Sequence, residues 1–298
     1  MRIFVTGATG FIGSSIVQEL IHSGHQVLGL TRSDAGAQSL MAAGAEVHPG
    51  HLEDLESLRG GAASADAVIH TAFIHDFSRY RENCEIDRRA IEALGDALAG
   101  SDRLLIVSSG TGMSSSSPGL PATENDPPLS SKVVPRSATE EAAASVAARG
   151  VRVATVRLPQ VHDTVKQGLV SYAIQIAREK GVAAYIGNGL NRWPAAHLLD
   201  TAHLYQLALE KGDGGVRYHA VAEEGVPARD IAAAIGRGLS VPVVSIAPEE
   251  APAHFGWLAT FVGRDIPASS AQTRDQLGWN PAGPALISDL ENMRYFEA

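Results

Sequence analysis

Short apolar segments alternate with amphipathic segments along the first half of the chain. Runs rich in β-branched and aromatic residues predict strands at residues 2–6, 26–30, 45–48, 67–71, 104–108 and 151–158. Apolar residues recur with helical spacing over residues 14–23, 87–98 and 137–149. Strands that are joined by helical crossovers lie parallel in one sheet. We therefore predict an α/β fold with a doubly wound parallel sheet.

Two local signals lie between the fifth and sixth predicted strands. Gly112–Arg136 is rich in Ser, Pro and Gly and leaves the carboxyl end of the fifth strand, where ligands bind in such sheets. We interpret this segment either as a mobile cover over a site or as a disordered surface loop. Ser137-Ala138-Thr139-Glu140 has the spacing of a capping box, which predicts that a helix begins there.

Three glycines follow the first predicted strand in GxxGxxG spacing, and a predicted helix comes directly after them. Gly7 permits a tight turn, Gly10 lets backbone amides approach a pyrophosphate, and Gly13 allows the helix to pack closely on the strand. The partial positive charge of the helix N-terminus then faces the phosphates. We predict a dinucleotide site at this turn, with cofactor contacts that also include Thr9, Phe11 and Ile12.

The end of the second strand indicates which dinucleotide is bound. An NAD-selective site places Asp or Glu there to bind the ribose 2′-hydroxyl, but the chain has Thr31-Arg32-Ser33. The Arg32 guanidinium suits a 2′-phosphate, and Ser33 offers a second donor. We therefore predict NADP(H) as the cofactor, while the neighbouring Asp34 leaves use of NAD(H) open.

The pattern changes after Asp163, where longer helices and isolated strands follow. We interpret this part as a smaller C-terminal substrate lobe. The predicted dinucleotide-binding domain covers residues 1–161 with a return segment at about 197–222, and the predicted substrate-binding lobe covers residues 162–196 and 223–298.

Composition and charge argue against several kinds of partner. The 298 residues carry a net charge of −9, which disfavours nucleic acid and anionic membranes, and no apolar run approaches the length of a membrane span. The single cysteine, Cys84, excludes an internal disulfide. A strand that starts at residue 2 leaves no room for a signal peptide, so we expect a cytoplasmic protein. None of the 11 histidines has metal-ligand spacing, and we expect no metal.

Several motifs together resemble one family over nearly the whole chain. They are VTGATGFIG at 5–13, Asp66–His70, Val107–Ser109, Arg157–Pro159, the GNGLNRWPAAHLLDTA stretch at 187–202 and Ser270–Pro281. In this combination the chain resembles the extended short-chain dehydrogenase/reductases, which have a Rossmann-type nucleotide domain and a C-terminal substrate lobe. It resembles in particular the atypical members without a Tyr-x-x-x-Lys pair, among them ketoreductases of angucyclinone polyketides.

The resemblance implies further cofactor contacts at the ends of the later strands. It implies that Leu52 flanks the adenine, that Ala72 and Phe73 line the ribose and pyrophosphate, and that Pro159 and Val161 border the nicotinamide. The remaining implied contacts are His51, Thr71 and Ser108.

The proton chemistry of that family is missing from this chain. The place of the Tyr is taken by Val134 and that of the Lys by Ala138, and neither side chain transfers protons. The protein candidates for a proton donor are Ser109, Thr111, His75 and His162. A bound water or a phenolic hydroxyl of the substrate beside its carbonyl are the other sources.

These observations favour an NADPH-dependent ketoreductase that acts on a bulky, mostly apolar aromatic ketone of the polyketide type. Positioning alone contributes several kcal/mol to such a reaction, up to roughly 7–11 kcal/mol. Trp193, Phe255, Trp257 and Phe261 suit a flat aromatic guest, although packing of the lobe explains each of them alone. A non-catalytic NADP(H)-binding redox sensor or scaffold is the alternative, and a nucleotide-sugar epimerase or dehydratase is less favoured because the base is lost. The oligomeric state stays open.

Overall fold

The computed structural model describes residues 1–114, 117 and 119–295. Its largest sheet has seven strands, and two small sheets of three and two strands lie in the C-terminal half. The strands are β1 (Arg2–Thr6), β2 (Gln26–Thr31), β3 (Glu46–Pro49), β4 (Ala67–His70), β5 (Leu104–Gly110), β6 (Arg152–Leu158), β7 (Gln160–His162), β8 (Ala183–Ile186), β9 (Arg192–His197), β10 (Arg217–His219), β11 (Glu223–Pro227) and β12 (Val243–Ile246).

Helices connect most of these strands, and short 3₁₀ turns occupy Phe77–Arg79, Thr111–Met113, Pro135–Ser137, Pro248–Glu250 and Gly256–Leu258. The α-helices are α1 (Phe11–His22), α2 (Asp34–Ala42), α3 (Leu55–Ala63), α4 (Tyr80–Leu98), α5 (Ala138–Ala147), α6 (Val170–Lys180), α7 (Leu198–Lys211), α8 (Ala228–Leu239), α9 (Ala251–Phe255), α10 (Ala259–Val262), α11 (Ala271–Leu277) and α12 (Leu286–Asn292).

The seven-stranded sheet has the order β10-β6-β5-β4-β1-β2-β3, and every neighbouring pair is parallel. The chain fills the sheet outward from β1 to β3 and then returns to place β4 on the other side of β1. The direction of winding therefore reverses between β1 and β4, which defines the switch point of a doubly wound sheet. The predicted α/β fold is confirmed.

Helices cover both faces of this sheet and bury two apolar layers. On one face, α1 and α7 pack over the sheet, and Leu277 and Trp279 join the same cluster. On the other face, α3, α4 and α5 form the second cluster with the sheet. Strands that are buried on both faces read as continuous apolar runs, which is why their positions could be predicted.

A third apolar cluster lies in the C-terminal half, where α6, α8 and α12 pack around the small sheets. The three-stranded sheet has the order β11-β9-β7, and β12 pairs with β8. The domain boundaries predicted from the sequence stay a prediction. No helix in the described part of the chain is long and apolar enough to cross a membrane.

The segment 112–136 is anchored to the C-terminal half, although residues 115, 116 and 118 lie outside the described residues. The amide of Ala122 donates to the carbonyl of Pro267 at 2.8 Å. The buried Glu124 carboxylate accepts hydrogen bonds from the amide and the hydroxyl of Thr273, at 2.8 and 2.7 Å. Ala122 and Glu124 are therefore held against the C-terminal half, and the interpretation of the segment as a mobile cover or a disordered surface loop stays a prediction.

The predicted capping box at Ser137 is wrong. Ser137 itself has helical backbone angles at the end of a 3₁₀ turn, and its hydroxyl makes no cap hydrogen bond. Glu140 does not reach back to the cap, because its carboxylate accepts two hydrogen bonds of 2.8 Å from the buried Arg157 guanidinium. A charge-assisted pair is stronger than a neutral cap, so the long-range interaction prevails over the local one.

The Glu140–Arg157 pair ties α5 to β6, and Arg217 of β10 adds a third charged group 3.2 Å from Glu140. Burial alone would raise the pKa of Glu140. The hydrogen bonds and charge of Arg157 nevertheless hold this pKa below its ordinary value. His219 completes this network: its Nδ1 lies 2.8 Å from the Ser269 carbonyl and its Nε2 lies 3.3 Å from Arg157. These partners require a neutral imidazole that donates from Nδ1 and accepts at Nε2.

The neighbouring glycines of α3 give a matched test of packing. A methyl group at the buried Gly61 would lie 2.3 Å from Cζ of Phe4 in β1, whereas one at the exposed Gly60 would meet no atom within 4 Å. Gly60→Ala should raise the free energy of unfolding by up to about 1 kcal/mol through helix propensity. Gly61→Ala should lower it by about 1–3 kcal/mol through overpacking. Urea unfolding of both variants measures the difference, and equal stabilities would contradict the packing of α3 on β1.

The buried imidazole predicts an acid-sensitive core. Burial, reinforced by the Arg157 charge, lowers the pKa of His219 from 6.5 to about 4. Protons then bind the unfolded chain more tightly, so stability is complete above the unfolded pKa and is lost as the pH falls from 6.5 toward 4. The His219 contribution should cost about 2 kcal/mol at pH 5 relative to pH 7.5. Unfolding curves of wild type and His219→Gln should diverge over this range, and parallel pH profiles would contradict the assignment.

Candidate active site

The candidate site lies outside the carboxyl ends of β1 and β4, at the switch point of the sheet. Ligands of doubly wound sheets bind in the crevice that opens there. The turn after β1 lies on one side of this crevice, and residues 71–80 after β4 lie on the other. The connection after β5 and the segment before α5 continue the same edge.

The turn between β1 and α1 has the geometry that a pyrophosphate requires. Gly7 has a φ of 70°, and a methyl group on Gly13 would lie 2.0 Å from the Gly7 carbonyl oxygen. The helix α1 begins after Gly10 without a side-chain cap, and its first turn contains no acidic residue. The first amides are therefore available for an anion. The residues of this turn fit a dinucleotide, and Thr9, Phe11 and Ile12 lie around it.

The end of β2 carries the side chains predicted for the adenosine ribose. Arg32 is exposed and has no carboxylate partner among the ion pairs of the described residues. Ser33 caps α2, because its hydroxyl oxygen accepts a hydrogen bond from the Gly36 amide at 3.1 Å. Its hydroxyl proton remains available to a ligand. Asp34 is the first residue of α2, where its charge complements the helix dipole.

The other predicted cofactor contacts differ in how accessible they are. His51 is exposed, while Thr71, Ala72, Phe73 and Pro159 are half-buried. Leu52, Ser108 and Val161 are buried. The Ser108 hydroxyl is held inside the protein, where it lies 2.8 Å from the His70 carbonyl and 2.6 Å from the Tyr205 hydroxyl.

Ser109 and Thr111 are the two hydroxyls predicted as proton donors after β5, and both are buried. The Ser109 hydroxyl donates to Glu140 at 2.8 Å, so it belongs to the network with Arg157. The Thr111 hydroxyl faces the carbonyl oxygen of Leu158 at 3.4 Å. Their catalytic role stays a prediction, and a substrate would have to compete with these acceptors.

The two candidate histidines lie in different surroundings. His162 is completely buried, its Nδ1 lies 2.7 Å from Asp289, and its Nε2 has no hydrogen-bond partner. Burial lowers the pKa of His162 in spite of Asp289. His75 lies after β4 with an exposed edge. The surrounding protein, followed by the charges of Arg136 and Lys166, lowers the pKa of His75.

The segment that has lost Tyr and Lys brings a different cation to the site. Val134 is half-buried and Ala138 is buried, and between them lies Arg136. The Arg136 guanidinium stacks on the ring of Phe73 with its central carbon 4.1 Å from the ring centroid. Its Nη2 also donates to the Ser108 carbonyl at 3.1 Å. Sequence reasoning overlooked Arg136, although its position between the two lost residues was a usable signal.

Arg136 is held by a buried polar network beneath the site. Its Nη1 donates to the Asp87 carboxylate at 2.7 Å, and Thr139 also contacts Asp87. The other Asp87 oxygen lies 3.1 Å from His70 Nε2, and His70 Nδ1 lies 2.7 Å from the Thr6 hydroxyl. Burial alone would raise the pKa of Asp87. The charge of Arg136 nevertheless keeps this pKa below its ordinary value.

Aromatic side chains from both halves of the chain meet beside Arg136. We call them the aromatic cluster: Phe73, His75, Phe77, Tyr80, Tyr172, Trp257 and Phe261. Phe77 and Trp257 stack with ring centroids 4.0 Å apart and an angle of 11° between their planes. Trp257 is 39% exposed, which is high for a tryptophan. Burial raises the pKa of Tyr80 to about 12, so its phenol stays protonated.

Two of the four aromatic residues singled out in the C-terminal half belong to this cluster, and two do not. Trp193 packs in the third apolar cluster, and Phe255 is buried between α9 and α6. Only Trp257 and Phe261 reach the site. The sequence interpretation missed the aromatic residues at 73–80 as part of this site. Their density in so short a segment is a signal that the sequence does contain.

Comparisons with known proteins agree with the fold. The model of the NAD dependent epimerase/dehydratase family matches residues 3–222. An uncharacterized protein of Schizosaccharomyces pombe is 48% identical over 297 residues, which are 99% of this chain and 100% of the relative. A 4-hydroxy-2-methyl-3-oxo-4-farnesyl-3,4-dihydroquinoline-1-oxide ketoreductase of Stigmatella aurantiaca is 26% identical over 227 residues, which are 73% of this chain and 67% of the relative.

Solved structures share the fold. The dTDP-glucose 4,6-dehydratase DesIV of Streptomyces venezuelae, solved with NAD bound, superposes with a TM-score of 0.79 at 19% identity. The match covers 99% of this chain and 97% of that one. The resemblance to the extended short-chain dehydrogenase/reductases is thereby confirmed at the level of the family. The chain belongs to the NAD-dependent epimerase/dehydratase family, and it is an NAD(P)-dependent oxidoreductase.

Proposed function

We propose that the protein is an NADPH-dependent ketoreductase that reduces a carbonyl of a bulky, apolar aromatic substrate to an alcohol. The aromatic cluster carries this proposal. It includes Phe73, a predicted cofactor contact, and extends from the residues after β4 to Trp257 and Phe261 in the C-terminal half. A site with apolar aromatic walls and few polar groups suits a flat, apolar guest.

The proposed preference for NADPH depends on Arg32. A guanidinium without a carboxylate partner at the end of β2 is matched to a 2′-phosphate, and the Ser33 hydroxyl adds a donor beside it. The turn at Gly7–Gly13 would hold the pyrophosphate, and the residues after β4 and β6 would border the rest of the cofactor. When bound, NADPH supplies a hydride to the carbonyl carbon.

The chain supplies positioning and a cation at the reacting end. Arg136 lies over Phe73 with its charge at the carboxyl ends of β4 and β5, where negative charge on a carbonyl oxygen would develop. The surrounding rings would shield a bound guest from water. These effects need no protein acid, which agrees with the loss of the Tyr and Lys at 134 and 138.

We propose that the substrate itself provides the proton. Ser109 donates to Glu140, Thr111 faces the Leu158 carbonyl, and His162 is enclosed with Asp289. A phenolic hydroxyl beside the ketone would give its proton to the carbonyl oxygen as the carbon takes up hydride. The phenolate that remains would regain a proton from water, so charge and atoms balance.

The Stigmatella aurantiaca relative supports this class of substrate, because its name describes a ketoreductase that acts on a bicyclic quinoline with an oxo group. Polycyclic polyketides of the angucyclinone type share with that compound a fused aromatic ring system that carries a ketone and a hydroxyl group. We propose them as the first compounds to assay.

Hydride transfer from labelled cofactor tests the function directly. The protein should transfer deuterium from NADPH labelled at C4, in one of its two stereochemical forms, to a new carbinol carbon of a peri-hydroxylated polycyclic ketone. Mass spectrometry of the product detects the label. Tight NADPH binding without transfer to any ketone in such a panel would contradict the proposal and would favour a cofactor sensor or scaffold.

The origin of the proton has a separate test. Methylation of the peri-hydroxyl should lower kcat by about 10²–10⁴, the usual contribution of general acid catalysis. Steady-state kinetics of the hydroxy-ketone and its O-methyl analogue, at matched binding, measure the effect. Equal rates would contradict substrate assistance and would make Tyr80 and His75 the next side chains to replace.

A further inference from the structure

Lys166 lies in the turn between β7 and α6, and its backbone is fixed there. The Asp163 carboxylate accepts hydrogen bonds from the amides of Val165 and Lys166, each at 2.7 Å. The Asp163 amide donates to the Lys166 carbonyl at 2.9 Å. The turn therefore presents the Lys166 side chain from a defined position in the C-terminal half.

The Lys166 ammonium reaches back across the crevice of the large sheet. Its Nζ lies 5.7 Å from the ring centroid of Phe11, the first residue of α1. It also lies close enough to His75, after β4, for its charge to lower the pKa of that histidine. Phe11 opens α1 just after β1, so the ammonium lies near the carboxyl end of that strand, and its charge acts on His75 after β4.

The Lys166 side chain is exposed, and its ammonium lies over the Phe11 ring in a weakly attractive cation–π contact. A cation beside a helix N-terminus is unfavourable, because both carry positive charge. The first turn of α1 contains no acidic residue, and the ion pairs in the described part of the chain do not include Lys166. An anion between Lys166 and the α1 amides would satisfy both sides.

We propose that Lys166 closes over the pyrophosphate of the bound dinucleotide, opposite the amides of α1. The two positive elements then hold the same anion from the two halves of the chain. Lys166 is a cofactor-binding residue that the glycine motif does not contain. The inference depends on the dinucleotide site and does not depend on the identity of the ketone.

Cofactor titration without any ketone tests this. The wild type, Lys166→Met and Lys180→Met are titrated with NADPH and, separately, with adenosine 2′-phosphate, which lacks the pyrophosphate. Lys180 is the matched control, because it is exposed, binds the Ala253 carbonyl and has the same charge. Arg32→Gln serves as the positive control for the 2′-phosphate. Lys166→Arg keeps the charge.

Lys166→Met should weaken NADPH binding about tenfold at low ionic strength, with a smaller loss at high salt, because exposed charges are screened. Its affinity for adenosine 2′-phosphate should stay unchanged, while Arg32→Gln weakens both ligands. Lys166→Arg should restore most of the affinity. An NADPH affinity of Lys166→Met within twofold of Lys180→Met would overturn the proposal, and so would an equal loss for adenosine 2′-phosphate. Reduction of ketones is a separate readout, so failure of the proposed function would leave this result intact.

Discussion

The carboxyl edge of the sheet is organised by the need to neutralise one buried carboxylate, that of Asp87. Asp87 is inaccessible to solvent, and an unpaired charge in such a place is strongly destabilising. His70 and Thr139 hydrogen-bond to its oxygens, and the guanidinium of Arg136 supplies the compensating charge. The same guanidinium lies over the ring of Phe73, and Arg136 belongs to the 3₁₀ turn that precedes α5. The turn before α5 is therefore tied to a charge in α4, and Ser137 gives that helix no side-chain cap.

Features that depend on neighbours along the chain could be predicted from the sequence. The strand, turn and helix around Gly7–Gly13 depend on local apolar periodicity and on glycine spacing, and the structure shows all three. The doubly wound sheet follows from the alternation of strands and helices. The cap at Ser137 is the instructive failure, because Glu140 has the correct local spacing and is nevertheless taken by Arg157, 17 residues away. A capping motif takes account only of groups that are close in sequence. It does not show whether a distant residue binds one of those groups instead.

Features assembled from distant segments could not be predicted in this way. The aromatic cluster joins residues 73–80 to residue 172 and to residues 257–261, and its existence depends on how the two halves pack. Trp193 and Trp257 are the same residue type in the same half of the chain, yet one is core and the other partly exposed. Arg136 and Lys166 likewise have no local motif. The roles proposed for them depend on residues that lie far away in the sequence and become their neighbours in the fold.

The stack of Phe77 on Trp257 implies that the aromatic guest proposed for this site would compete with the stack itself. A flat molecule that enters between these rings must first separate them, and an aromatic pair contributes about 0.5–1.5 kcal/mol beyond its buried area. A guest with a single ring replaces one stack by another and gains little. A guest with several fused rings covers both rings and the neighbouring side chains, so its net gain is larger. The stacked pair would thus favour the binding of ligands with a large aromatic surface over ligands with a single ring.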